Sequence, residues 1–176
     1  HEGALASGGT GIFKQQAACP FRAFAEYRLG ARPLATTQIG LNPMERGQLL
    51  HSALEQTWQV LRSYENLCSF SDETIQDIVK QAVSVAVGDM ARKRRLTFTA
   101  KFTELEKNRL EKLVTAWLAL EKQRAPFTVF KPEQERVVQV GGINVTTRID
   151  RIDQLPDGGQ VIIDYKTGVS DTGGWF

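Results

Sequence analysis

The sequence predicts an α/β chain of the α+β kind, with helices first and a mainly antiparallel three-stranded sheet after them. Three observations carry this. Between residues 43 and 124 apolar side chains recur with the 3.6-residue period of amphipathic helices. From Val129 onward the pattern changes to short strand-like runs. Those runs are separated by Gly141-Gly142 and by Pro156-Asp157-Gly158-Gly159, both strong turn punctuation.

Along the chain, Ser7-Gly8-Gly9-Thr10 makes residues 1–12 read as a flexible leader or linker. A helix is expected over residues 14–29, with Phe13, Ala17, Phe21, Phe24 and Leu29 partly on one side and a break at Pro20. Residues 30–42 form a connector. Asn42-Pro43 then supplies an N-cap and a first-turn proline for a helix running to about Glu65.

Ser71 caps the next helix, whose Ile75, Ile78, Val79, Ala82, Val83, Ala86 and Val87 keep helical spacing until the basic run near Arg95. A third long helix covers roughly Lys101 to Arg124, with Leu105, Leu110, Leu113, Val114, Trp117, Leu118 and Leu120. The strands are expected over residues 129–140, 143–154 and 160–167.

Composition sets the class. A chain of 176 residues with 41% hydrophobic and 24% charged side chains suffices for one domain with a core. No apolar run reaches the roughly 18 residues a membrane span needs, and no signal-peptide core stands at the start. A cytoplasmic location is therefore expected.

The net charge of +2 and pI near 8.6 exclude a globally basic packaging protein, so any nucleic-acid surface must be local. Arg92, Lys93, Arg94 and Arg95 are the local candidate. Against it stands the plainer reading of a solvated helix end, where cations suit the dipole. Cys19 and Cys68 are only two and neither belongs to a C-x-x-C pair, so they imply no disulfide framework.

The hairpin carries the chemistry. Strand side chains alternate faces, so Asp164 and Lys166 share one side while Val161, Ile163 and Tyr165 take the other. Folding about Asp157 sets Asp150 opposite Asp164, each seven residues away. Directly opposed residues lie roughly 5 Å apart at Cβ. Two carboxylates that close repel, and a divalent cation is the simplest remedy.

These residues, Ile149-Asp150-Arg151 followed by Ile163-Asp164-Tyr165-Lys166-Thr167-Gly168, resemble the nuclease core of the PD-(D/E)xK superfamily, in particular its RecB-like branch. Gly47-Gln48-Leu49-Leu50-His51 is similar to the G-x-x-x-H helix of that branch, and Ala18-Cys19-Pro20-Phe21 to its N-terminal element. The resemblance touches nearly all of residues 13–176, which it marks as one nuclease domain of a larger repair protein. It also implies a fold that continues past Phe176 with a further helix and strand.

The resemblance implies an Mg²⁺- or Mn²⁺-dependent deoxyribonuclease, an exonuclease acting on single- or double-stranded DNA ends beside a helicase domain or subunit. It places His51, Asp150, Asp164 and the backbone carbonyl of Tyr165 at the metal, with Asp150, Asp164 and Lys166 as the catalytic set. For His51 the bland alternative is a core histidine satisfied by a hydrogen bond, and for Asp150 an ion pair with Arg148 or Arg151, of which Arg151 is the poorer partner because alternation points it to the opposite face. For Asp164 it is an ion pair with Lys166.

Glu133 and Glu135 are secondary candidates that alternation cannot separate, although the offset of Glu133 from Asp150 is closer to the family's. Arg148 is a further DNA-contact candidate. Some relatives bind an iron–sulfur cluster through a cysteine like Cys19, but a cluster needs about four thiolates and this chain has two cysteines. A buried free cysteine is the expected role of Cys19. The competing function is a catalytically silent DNA-binding or scaffold module. A third reading is an RNA-processing or restriction-type endonuclease using the same core.

Overall fold

The computed structural model describes residues 5–6, 8–31, 34 and 40–168. Among them the order is β1 (Leu5–Ala6), α1 (Gly11–Ala18), α2 (Pro20–Tyr27), α3 (Pro43–Leu61), α4 (Tyr64–Ser69), α5 (Asp72–Lys93), α6 (Ala100–Glu121), β2 (Thr128–Val140), β3 (Ile143–Gln154) and β4 (Gln160–Ile163). The described sheet has four strands rather than three. β3 is bordered by β2, pairs in parallel with β1 at Asn144 and Val145, and pairs antiparallel with β4 from Arg151↔Ile163 to Gln154↔Gln160.

The chain divides into two compact units, residues 1–37 with 134–149 and residues 38–133 with 150–176. In the first, Leu5–Ala6 of the expected leader is strand, and Cys19 in an extended conformation separates α1 from α2, with Pro20 opening the latter. The apolar stripe expected there is only partly used. Ala23 is the buried residue of α2, while Phe21, Phe24 and Leu29 are exposed. Cys19 is exposed as well, which corrects the expectation of a buried thiol.

The second unit holds the main core and every residue of the candidate active site. α3 begins with a full capping box: Asn42 accepts from the Glu45 N–H at 2.8 Å and the Glu45 carboxylate accepts from the Asn42 N–H at 2.9 Å. It ends at Leu61 rather than near Glu65, because Arg62 adopts a left-handed conformation (φ 61°) and Ser63 caps a separate short helix, α4. α5 and α6 start on Ser71 and Thr99, each accepting from a backbone N–H three residues on.

α3 and α6 pack with α5. Leu49, Leu54, Trp58 and Leu61 meet Val79, Val83 and Val87, and Leu110, Val114 and Leu118 complete the layer. Each such side chain contributes roughly 1.5–3 kcal/mol on burial. Because α6 commits Leu110, Val114 and Leu118 inward, its other apolar residues, Leu105, Leu113, Trp117 and Leu120, face out.

Candidate active site

The β3–β4 turn fixes the register. Leu155 N–H donates to Gly159 O at 2.8 Å, Gly158 takes φ 85°, and the pairs Arg151↔Ile163 through Gln154↔Gln160 are all centred on Asp157. Asp150 and Asp164 therefore stand one step beyond the last pair. β4 ends at Ile163, four residues short of the expected strand end. The alternation of exposure nevertheless persists, with Asp164 and Lys166 exposed and Tyr165 buried. Ile162, on the same face as Asp164, is 65% exposed.

Asp150 and Asp164 each have other partners. One Asp150 oxygen accepts from Tyr165 N–H at 2.7 Å, and the other lies 3.1 Å from His51 Nδ1. The second imidazole nitrogen, Nε2, lies 2.8 Å from the Tyr165 carbonyl. A carboxylate and a carbonyl only accept, so both ring nitrogens act as donors and the contacts select the charged imidazolium. The His51 pKa is accordingly raised, chiefly by its hydrogen bond to Asp150. Burial works against charge on Asp150, but the hydrogen bonds from His51 and Tyr165 N–H outweigh it and hold its pKa below the ordinary carboxylate value.

Asp164 turns to Lys166, at 2.5 Å, in a pair whose side chains are half or more exposed. Gly47, one turn before His51, leaves space for this segment: a Cβ there would stand 3.2 Å from Thr167 Oγ1.

Behind the site lies a buried ionic network that strand alternation only hinted at. Arg151 is 1% exposed. Its guanidinium donates to both Asp153 oxygens at 2.7 Å, to Glu121 at 2.9 Å and to the Tyr165 hydroxyl at 3.0 Å. It lies over the Trp58 ring at 4.1 Å. Arg124 adds a second cation against Glu121 and Asp153. Burial disfavours charge on Arg151, yet these carboxylates raise its pKa, while burial is the main reason the Tyr165 phenol is pushed up. Tyr165 thus has its ring in this network and both backbone groups in the active site.

The other candidates lie at or just past the end of α5 and on β2 and β3. Arg92 and Lys93 occupy the last turn of α5, with Arg92 paired to Asp89 and Arg94 to Glu45. That matches the helix-end reading. Arg148 is exposed on β3. Glu133 and Glu135 belong to β2, and their side chains lie outside the described residues.

The donor chemistry fits a hard or borderline divalent cation: two carboxylates, a carbonyl and an imidazole within one short stretch of structure. In the arrangement seen, however, these groups satisfy one another, and no three His, Cys, Asp or Glu side chains among the described residues form a metal-binding group. No helix among those residues is long and apolar enough to cross a membrane.

Residues 13–173 match the PD-(D/E)XK nuclease superfamily, and the chain belongs to it. Members of that superfamily typically use divalent metals. The chain is also similar to an ATP-dependent helicase/deoxyribonuclease subunit of Enterococcus faecalis, at 26% identity over 170 residues. That alignment covers 85% of this chain and 14% of the relative's length.

Proposed function

We propose that this domain is a metal-dependent deoxyribonuclease, acting as an exonuclease on DNA ends during repair or recombination beside a helicase domain or subunit. The carrying observation is the closed contact of His51, Asp150 and the Tyr165 carbonyl, with Asp164 and Lys166 in the adjoining segment. His51, Asp150, Asp164 and the Tyr165 carbonyl would hold Mg²⁺ or Mn²⁺. Bound there, the cation supplies Lewis acidity and lowers the pKa of its water toward neutrality.

The remaining work falls to the chain. Tyr165, anchored by Arg151, keeps its carbonyl and N–H fixed relative to His51 and Asp150. Lys166, released from Asp164, orients the attacking water and balances charge developing on the phosphate. The link to a helicase is drawn from the Enterococcus faecalis relative, itself a helicase/deoxyribonuclease subunit.

The test is cleavage of linear and circular DNA, single- and double-stranded, in Mg²⁺, Mn²⁺ or EDTA, with Asp164→Ala as the control. Metal-dependent cleavage of linear DNA that the variant lacks supports the reading, and sparing of circles supports the exonuclease mode. A folded chain that neither binds Mn²⁺ nor cuts would favour the silent scaffold. The Asp164–Lys166 ion pair and the lack of a three-ligand group among the described residues are the observations on that side.

A further inference from the structure

Next to Asp164 and Lys166, α3 and α6 border an open groove of about 750 Å³. Its floor is apolar, built by Leu50 and Leu54 of α3 and Leu113 and Trp117 of α6. Its cations are Arg46, Arg109 and Lys166. The same groove is lined by Asp164, Tyr165 and Lys166, so it runs directly into the residues assigned to phosphodiester chemistry.

The floor is a consequence of helix register. α6 spends Leu110, Val114 and Leu118 on the core, which turns Leu113 and Trp117 outward, 44% and 36% exposed. Trp117 is fixed in place: its indole N–H donates to Glu121 at 2.8 Å and its ring stands edge-on to Tyr165 at 5.5 Å. Arg109 is held by Glu106 at 2.7 Å. Arg46 is exposed, and its guanidinium has no partner among the described residues.

A rigid aromatic and aliphatic surface beside one held and one free arginine is the chemistry that receives an unpaired strand, with bases on the floor and phosphates at the arginines. A duplex keeps its bases stacked inside and offers chiefly phosphates to such a surface. We infer that this groove is a subsite for a single-stranded stretch of nucleic acid, which feeds one phosphate to Asp164 and Lys166. The inference rests on the nuclease reading and adds to it strand preference and the residues that set it.

The experiment measures anisotropy of a fluorescein-labelled oligodeoxynucleotide of about a dozen residues, single-stranded or as a blunt duplex, in EDTA. Cleavage of the same strands in Mn²⁺ is followed in parallel. Arg46→Ala and Leu113→Ser are both exposed helix positions, so folding is not at stake. Arg46→Ala should weaken single-strand binding by roughly tenfold and lower the salt slope by about 0.7, the value for one phosphate contact on a single strand. Leu113→Ser should weaken it several-fold with no change in salt slope, and Arg46→Lys should restore the slope. Duplex binding should change little in any variant.

Two results overturn the subsite while leaving the nuclease reading intact. Either both variants bind and cut single strands like the wild type, or duplex and single-strand binding fall together. If the wild type neither binds nor cuts DNA in any form, the nuclease reading fails and the subsite with it.

Discussion

His51 and Tyr165 are joined through a ring nitrogen and a backbone carbonyl, 2.8 Å apart, with their rings edge-on at 5.9 Å. The other ring nitrogen faces Asp150, so His51 is a cross-brace from α3 to β3 and to the segment that follows β4. The brace is strongest when the imidazole is charged and the carboxylate ionised. Because the His51 pKa is raised, its contribution is fully present below the unfolded histidine value and is lost as pH rises through the folded one. Because the Asp150 pKa is lowered, its contribution is present above the ordinary carboxylate value and is lost as pH falls through the depressed one. Urea unfolding of metal-free wild type and His51→Gln across pH should show a difference on the order of 1 kcal/mol, discounted for partial exposure, that is largest near about pH 5–6. It should shrink on either side. A difference flat across that range would show that the contacts do not depend on charge.

The same brace sets a condition on cation binding. A metal can take an imidazole nitrogen only after a proton leaves. Calorimetric titration of Mn²⁺ should give an affinity that falls roughly tenfold per pH unit where His51 is charged, with about one proton released per cation there. Buffers of different ionisation heat expose that proton. His51→Ala should abolish the pH dependence along with most of the affinity. Binding that is tight and pH-independent would place the cation elsewhere.

Asp164 and Lys166 should separate stability from activity. Their ion pair is at least half exposed, and pairs of that kind contribute little to folding. Asp164→Asn and Lys166→Ala should therefore unfold within about 0.5 kcal/mol of the wild type. Both should lower the rate of metal-dependent DNA cleavage by about a hundredfold or more, as loss of a charge-stabilising group does. They should differ in titration, where the Asp164 variant loses Mn²⁺ affinity and the Lys166 variant keeps it. An unfolding cost of several kcal/mol with near-normal cleavage would reverse their assignment.

How far the sequence could be read depended on how local each determinant is. Asn42, Ser71 and the Pro156–Gly159 turn act within a few residues, and the helix starts and the hairpin register centred on Asp157 follow from them. The left-handed Arg62 that ends α3 has no such signal, since glycine or asparagine would be the usual choice there. Nor did the sequence foretell that β4 would stop at Ile163 with Tyr165 N–H taken by Asp150, because a side-chain acceptor 15 residues upstream supplies that partner. The pairing of Arg151 with Glu121 spans 30 residues and two element types. Alternation placed Arg151 opposite Asp150 in facing, yet periodicity alone could not say that the far face was a buried ionic pocket. Trp117 entered as one more apolar residue of a helix, and only the inward set Leu110, Val114 and Leu118 reveals why it lines a groove.

Arg151 provides the most demanding prediction, because its removal should damage stability and the site by separable routes. Arg151→Met leaves two buried carboxylates, Glu121 and Asp153, to share the single cation Arg124, and breaking a buried pair costs up to about 3–5 kcal/mol. Arg151→Lys should cost nearly as much, since a single ammonium cannot satisfy Asp153, Glu121 and the Tyr165 hydroxyl together. Tyr165→Phe is the gentle variant. It deletes one hydrogen bond to the guanidinium, for about 1 kcal/mol, and leaves the backbone of the site in place. If the ring anchors the Tyr165 carbonyl, this variant should fold and yet bind Mn²⁺ several-fold more weakly, with the His51 pKa, followed by NMR of the imidazole protons, moving back toward its ordinary value. Unchanged metal affinity and an unchanged His51 titration would restrict the network to holding the core together.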